Sequence, residues 1–376
     1  MSPGSAPGTL HRMSILLFSV GLALVALGVV DQLATVVNAE GTGGAVSSRV
    51  VDRLWRVALG IHRRHPSHRM LRAVGVAIVP ITILSWVALL WSGWFLVFSA
   101  SPGAVLEAGS GEQAGGWARL YYAGDTIFTL GSGDLQPGSA FWRVMSTIAV
   151  LVGLSLVTLG LTYLVPVVQA VAAKRKTAAM ISALGGTPEL LLERAWTGTD
   201  YRGLDEHLVL LAVDLAGVRQ SYYAYPTLHY FHSLDAHDAF APRLAALDET
   251  LTILTSAVPP ELAPSPIAIE PARHVIRSLL ETLEVTFIDA ADDAPPPLQL
   301  AGLAERGLTF IELEDVAEAL EAHRERRRLL RGFVEHDGWA WPEAVWMEGE
   351  LTGGAELALD PTEHMENRPG DDPPLG

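Results

Sequence analysis

Three uncharged hydrophobic runs organise the first half of the chain: Ser14–Val30, Ala73–Ala100 and Val144–Ala173. A helix of about 20 apolar residues crosses a bilayer core, so each run predicts a transmembrane helix. The first extends to Val37 if Asp31 lies near the headgroups. The third exceeds the length of a span, which implies tilt or extension beyond the bilayer. Between the second and third runs, Gly116–Phe128 is too short and too polar to cross. It reads as a re-entrant helix, tolerated at membrane depth only when buried in protein or lining water. Beyond residue 176 the period changes to that of amphipathic helices. Leu204, Leu208, Leu211, Leu215 and Val218 share one face, and Phe240, Leu244, Leu247, Leu251, Leu254 and Val258 share another. A third helix is predicted over Arg273–Ile288 and a fourth within Leu298–Arg331, with Pro259-Pro260 and Pro295-Pro296-Pro297 as punctuation. The pattern predicts an all-α membrane protein with a helical soluble half.

Charge supplies an orientation. Residues 1–176 hold 13 Lys and Arg against 7 Asp and Glu, whereas residues 177–376 hold 13 against 35. Seven arginines (49, 53, 56, 63, 64, 69 and 72) lie between the first two spans, and Lys174-Arg175-Lys176 ends the third. Excess Lys and Arg mark the cytoplasmic side. The 49–72 segment and the acidic half are therefore expected in the cytoplasm, with the re-entrant loop facing outside. A signal-peptide reading of residues 1–39 would export the arginine-rich segment, so a retained helix is favoured. Within that segment Val50, Leu54, Val57, Ala58 and Ile61 repeat at helical spacing, which predicts a basic amphipathic helix on the anionic inner leaflet. The chain contains no cysteine, which removes disulfides, thiolate metal sites and thiol nucleophiles. An acidic soluble half excludes nucleic acid as a partner. No nucleophile–base pair or metal motif stands out, so no enzyme is expected and no cofactor.

The chemistry concentrates in Thr129-Leu130-Gly131-Ser132-Gly133-Asp134, directly after the re-entrant helix. Gly131 and Gly133 permit backbone angles that residues with a Cβ resist. No Gly-Lys-Ser/Thr follows, which removes a phosphate-binding loop. The hexapeptide in this setting resembles the selectivity filter of the potassium-channel pore superfamily, in its bacterial two-span form, over roughly residues 72–175. The resemblance implies a pore-loop channel in which Thr129, Leu130, Gly131, Ser132 and Gly133 present oxygens to a dehydrated cation. One copy supplies no ring, so a homotetramer is implied, with permeant potassium or sodium as its ions. Tyr121 and Tyr122 stand where the family has paired aromatics around the filter. Asp125 and Asp134 match its supporting carboxylates, which would approach each other behind the filter, with Tyr122 donating to Asp134. Ser132 replaces the usual Tyr and removes an aromatic strut, which supports cation conduction with weakened potassium discrimination. Phe128 is a second departure, where threonine is frequent. In the third span Gly153, Gly160 and Pro166 are gate or hinge candidates, the glycines serving equally for close packing.

The expected domains are an N-terminal span (1–40), a basic linker (41–72) and a pore domain (73–176). Its outer helix is 73–100, its pore helix 116–128, its filter 129–134 and its inner helix 142–173. A helical acidic domain (177–350) and a disordered tail (351–376) follow. The nucleotide-binding fold common on related channels is not evident, so no nucleotide ligand is expected. His229, His232 and His237 with Asp235 and Asp238 form the densest ligand-capable set, and read as a packing surface rich in Tyr and His. The run Arg324–Arg328 reads as a helix cap or a partner for the acidic surface. A non-conducting, membrane-anchored sensor or scaffold that retains the pore fold is the alternative.

Overall fold

The computed structural model describes residues 7–37, 43–296, 300–311, 318 and 320–341. The expected tail lies outside these. Along the chain run α1 (Pro7–Val36), α2 (Ala45–Arg64), α3 (His68–Ser99), β1 (Val105–Glu107), α4 (Gly116–Ile127), β2 (Leu135–Pro137) and α5 (Ala140–Gly185). The second half holds α6 (Pro188–Ala195), α7 (Asp205–Ala224), α8 (Phe240–Ser256), α9 (Pro266–Thr286), α10 (Leu300–Glu305) and α11 (Arg324–His336). The helices α1, α3 and α5 are long and apolar enough to cross a membrane. All three are longer than the uncharged runs, because caps lie outside those runs. Ser67 accepts from the Met70 N–H at the start of α3, and Ser139 from the Trp142 N–H at the start of α5.

Close backbone approach joins the membrane helices. A Cβ on Gly21 of α1 would lie 2.7 Å from the Gly93 carbonyl of α3, and one on Gly93 would lie 2.9 Å from that of Gly21. Helices in lipid gain little from apolar burial against each other, so small residues that let backbones touch hold them together. The same device locks α5 against the re-entrant helix, where a Cβ on Gly153 would collide with the Ile127 carbonyl. A Cβ on Gly160 meets nothing within 4 Å. Gly153 is thus a close-packing position, and Gly160 is not.

Asp31 does not face headgroups. It is 2% exposed, and its carboxylate accepts from the Ser47 N–H at 3.2 Å, from the Val46 N–H at 2.5 Å and from Trp86 Nε1 at 3.0 Å. One side chain on α1 therefore caps the N-terminus of α2 and binds α3. Its neighbours extend the joint: the Thr35 hydroxyl accepts from the Gly44 N–H at 2.9 Å, and Gln32 donates to the Leu156 carbonyl of α5 at 3.0 Å. These contacts make α1 an integral part of the bundle.

Helix α2 is amphipathic as expected, but its faces divide differently. Val51, Trp55, Ala58, Leu59 and His62 are buried against protein. Of the expected stripe, Ala58 is buried, whereas Val57 and Ile61 stay 61% and 46% exposed. The helix thus has a protein-facing apolar sector, an uncovered apolar sector and a basic sector.

Helix α5 is a 46-residue rod, about 69 Å long. Its first half packs in the core shared with α3 and α4, where Trp142, Ala149, Leu156 and Tyr163 are buried, and its second half enters the core of the C-terminal half through Ala170, Ala178 and Ile181. Around it, α8 is wrapped so completely that Phe240 through Leu254 are all buried. The single apolar face expected for α8 understates this. The arginine run divides: Arg324 and Arg328 pair with the exposed Glu321 and Glu325, as expected of an acidic surface, whereas Arg326 pairs with Asp248 at 2.9 Å and Arg327 with Glu249 at 2.7 Å, both carboxylates lying in buried α8. The helix expected within 298–331 is broken after α10 at Gly307, which has φ +91°.

Replacing Asp31 with Ala leaves buried N–H groups without acceptors and is expected to cost about 1–3 kcal/mol. Chemical or thermal unfolding of the purified protein in detergent checks this. Gly153→Ala is expected to destabilise by about 1–3 kcal/mol through overpacking. Gly160→Ala is expected to be neutral or to stabilise by up to about 1 kcal/mol, since Ala is the better helix former. Equal destabilisation by both alanines would contradict the packing assignment.

Candidate functional site: the re-entrant loop

The re-entrant helix α4 starts and ends within a residue of the segment read from the sequence. Three contacts fix its depth. Trp91 of α3 donates its indole N–H to the Leu120 carbonyl at 2.9 Å. The same ring lies where a Cβ on Gly124 would sit, 3.0 Å away, and meets Phe128 edge-on at 6.0 Å between centroids. On the α5 side, Gly153 admits the helix end. Tyr122 is buried against Phe98, 5.0 Å between centroids, and its hydroxyl pairs with Ser146 of α5 at 2.7 Å. That partner replaces the expected bond from Tyr122 to Asp134. The reason is position: Tyr122 faces α5, whereas Asp134 lines the surface hollow beside Tyr121. Tyr121 points the other way, is 44% exposed, and lines a surface hollow with Glu107 and Asp134.

After α4 the backbone changes hand at alternate residues. Thr129, Gly131 and Gly133 have φ of +55°, +66° and +79°, and Leu130 and Ser132 between them do not. Thr129 is the sole non-glycine with positive φ among the described residues. A β-branched residue resists that region, so its backbone is strained. The chain is held in this form from behind. The Asp125 carboxylate accepts from the Ser132 N–H at 3.1 Å, and its carbonyl accepts from the Leu130 N–H at 2.9 Å. Asp125 is thus spent on the loop backbone, and among the described residues no hydrogen bond joins it to Asp134. Residues 129–134 are all exposed in the single chain, Leu130 by 65%.

A two-stranded sheet, absent from the sequence reading, closes the far end of the loop. Strands β1 and β2 run antiparallel with Val105 opposite Pro137 and Glu107 opposite Leu135. The Ala108 N–H donates to the Asp134 carbonyl at 2.8 Å. The chain leaving the loop is therefore stapled to the segment that precedes α4. Three-residue strands carry too little alternation to be read from sequence.

Of the hinge candidates, Gly153 touches the loop's support, and Gly160 and Pro166 lie further along α5. The helix runs unbroken through Pro166. His229 and His232 are buried, and neither is on an α-helix face: His229 lies in the 3-10 turn Pro226–Tyr230 and His232 in the irregular stretch after it.

Comparison with known proteins agrees with this geometry. The sequence profile of the family described as "Ion channel" matches residues 77–170, the stretch from α3 through the loop into α5. An "Uncharacterized membrane protein YdjJ" of Bacillus subtilis (strain 168) is 31% identical over 322 residues, covering 86% of this chain and 94% of that relative. No solved structure matches the chain. A bundle that clasps a short helix and a glycine-alternating loop, matched along the same stretch by this profile, places the chain in the pore-loop ion-channel family through residues 77–170, and over most of its length the chain is a relative of the membrane protein YdjJ.

Proposed function

We propose that four copies of the chain surround an axis and conduct monovalent cations through rings of oxygens from Thr129, Leu130, Gly131, Ser132 and Gly133. The observation that carries this reading is the alternation of hand at 129, 131 and 133. A chain that alternates left- and right-handed residues lines its carbonyls along one edge and its N–H groups along the other. The Ser132 N–H turned back to Asp125 marks the edge facing the protein, which leaves the carbonyl edge for an ion. Backbone at membrane depth persists only against protein or water, so exposed residues 129–134 call for neighbouring copies and a wet axis.

Potassium fits the carbonyl geometry, and sodium competes because Ser132 brings no aromatic strut. The loop faces outside and the acidic half lies in the cytoplasm, with α2 at the inner leaflet. There the uncovered Val57 and Ile61 meet lipid tails and the arginines meet anionic headgroups. Opening is carried by α5, which links the filter's support to the soluble half without interruption, with bending at Gly160 or Pro166. The permeant ions are the only ligands this chemistry needs, and no catalytic step is assigned.

Purified protein in liposomes is expected to take up rubidium well beyond empty vesicles. Uptake equal to empty vesicles would leave the non-conducting scaffold as the reading. Ser132→Tyr is expected to raise potassium preference over sodium, seen as a shift of the bi-ionic reversal potential. An unchanged reversal potential would remove Ser132 as the cause of weak selectivity.

A further inference from the structure

The turn Pro226–Tyr230 and the two residues after it meet every part of the molecule that surrounds the inner end of the membrane bundle. Thr227 pairs with Tyr163 of α5 at 2.7 Å, and Lys174 of α5 donates to the Leu228 and Phe231 carbonyls at 3.5 and 3.1 Å. The Tyr230 ring packs tilted against Trp55 of α2, 5.6 Å between centroids, and its carbonyl occupies the space over Gly75 of α3. His229 pairs with His336 of α11 at 2.7 Å, and His232 with His68 of α3 at 2.9 Å. The segment is thus a hub between the inner helix and the soluble half.

One contact in the hub is incomplete. His232 Nδ1 and Asp337 Oδ1 face each other at 4.0 Å, both side chains buried and neither atom hydrogen-bonded. A neutral imidazole has one N–H and one lone pair, and the bond to His68 Nδ1 uses one nitrogen. If the proton of His232 sits on Nε2, a lone pair confronts the carboxylate. If it sits on Nδ1, the N–H is too far from the carboxylate to bond. Buried polar atoms left unsatisfied are costly, and a second proton on His232 gives both a partner once the 4.0 Å gap closes. Nε2–H then donates to His68, and the charge on Nδ1–H draws the Asp337 carboxylate in from 4.0 Å to charge-assisted bonding distance.

We propose that His68, His232 and Asp337 form a proton-operated latch between the start of α3 and the end of α11, engaged when His232 takes up its second proton and slack when it is neutral. The surrounding groups fit. Trp339 stacks on His68 at 4.3 Å and lies 5.5 Å from His232, offering an aromatic face to the cation. From α2, the His62 ring stands edge-on to His68 at 4.9 Å. Its Nδ1 accepts from the Ser67 N–H and its Nε2 meets the Gly338 carbonyl, so it is satisfied as a neutral ring. From α5, Lys174 places a second cation near Asp337 while bound to the hub carbonyls. The His229–His336 pair does not compete for protons. Burial holds His229 far below the ordinary histidine range, and burial also lowers His336, whose other charged neighbours are Asp337, Arg63, Asp52 and Asp289.

The test is amide hydrogen exchange on the full-length protein in nanodiscs, read over 225–239 and 324–341 at about pH 6 and about pH 8 after correction for intrinsic rates. In the wild type, exchange in both segments is expected to be at least about threefold slower at the acid value. Asp337→Asn and His232→Gln are each expected to remove that difference. The first keeps the shape without the charge, and the second keeps a donor to His68 without a second proton. The same pH response in wild type and in either folded variant would overturn the latch. The reading does not depend on conduction, so it stands or falls separately from the channel assignment.

Discussion

A backbone stretch held at membrane depth outside any helix must have its polar groups answered, and the Asp125 carboxylate supplies that answer for the loop of this channel-family protein. By accepting the Ser132 N–H it fixes which edge of the loop faces the protein. The strained φ of Thr129 persists because its surroundings over-determine it: α4 ends against it, Asp125 grips the next two turns of chain, and the β1–β2 staple holds the exit. None of these contacts involves a bulky side chain of the loop itself. The backbone of the loop is therefore held without help from the Ser132 side chain.

The setting of α4 depends in turn on absence of side chain. Gly124 admits the Trp91 ring and Gly153 admits the Ile127 carbonyl, so the re-entrant helix is wedged between α3 and α5 at backbone distance. Gly21 and Gly93 dock α1 on α3 in the same manner, and Asp31 ties both to α2. The rod α5 runs without a break from this wedge to the hub around Lys174, and its two ends pack in two different cores.

Much of this was legible in the sequence. The uncharged runs gave three spans, and the re-entrant helix was bounded to within a residue, because lipid enforces continuous apolar stretches and abrupt polar ends. The loop was legible from its glycines. Thr129 at positive φ was not, because propensity argues against it and only tertiary contacts impose it. Tyr122 was assigned the wrong partner since the hydroxyl's direction depends on how α4 is rotated against α5, which no local pattern encodes. Asp31 looked like a span end because a cap supplied from another helix leaves no signal at the capped site. The buried pairs of Arg326 and Arg327 were missed for a related reason: α8 reads as amphipathic until its polar face is also covered. The two sectors of α2 were confused because the helix has one apolar sector buried against protein and another uncovered, and periodicity reports their sum.

The central claim is that oxygens of residues 129–133 from four copies coordinate cations in a row along one axis. Crystals grown or soaked with thallium ions test it directly through anomalous scattering. The account predicts a fourfold assembly with a line of anomalous peaks on its axis, each between successive oxygen layers of Thr129, Leu130, Gly131, Ser132 and Gly133. Absence of a common axis through the loops, or thallium bound only elsewhere on the protein, would contradict it.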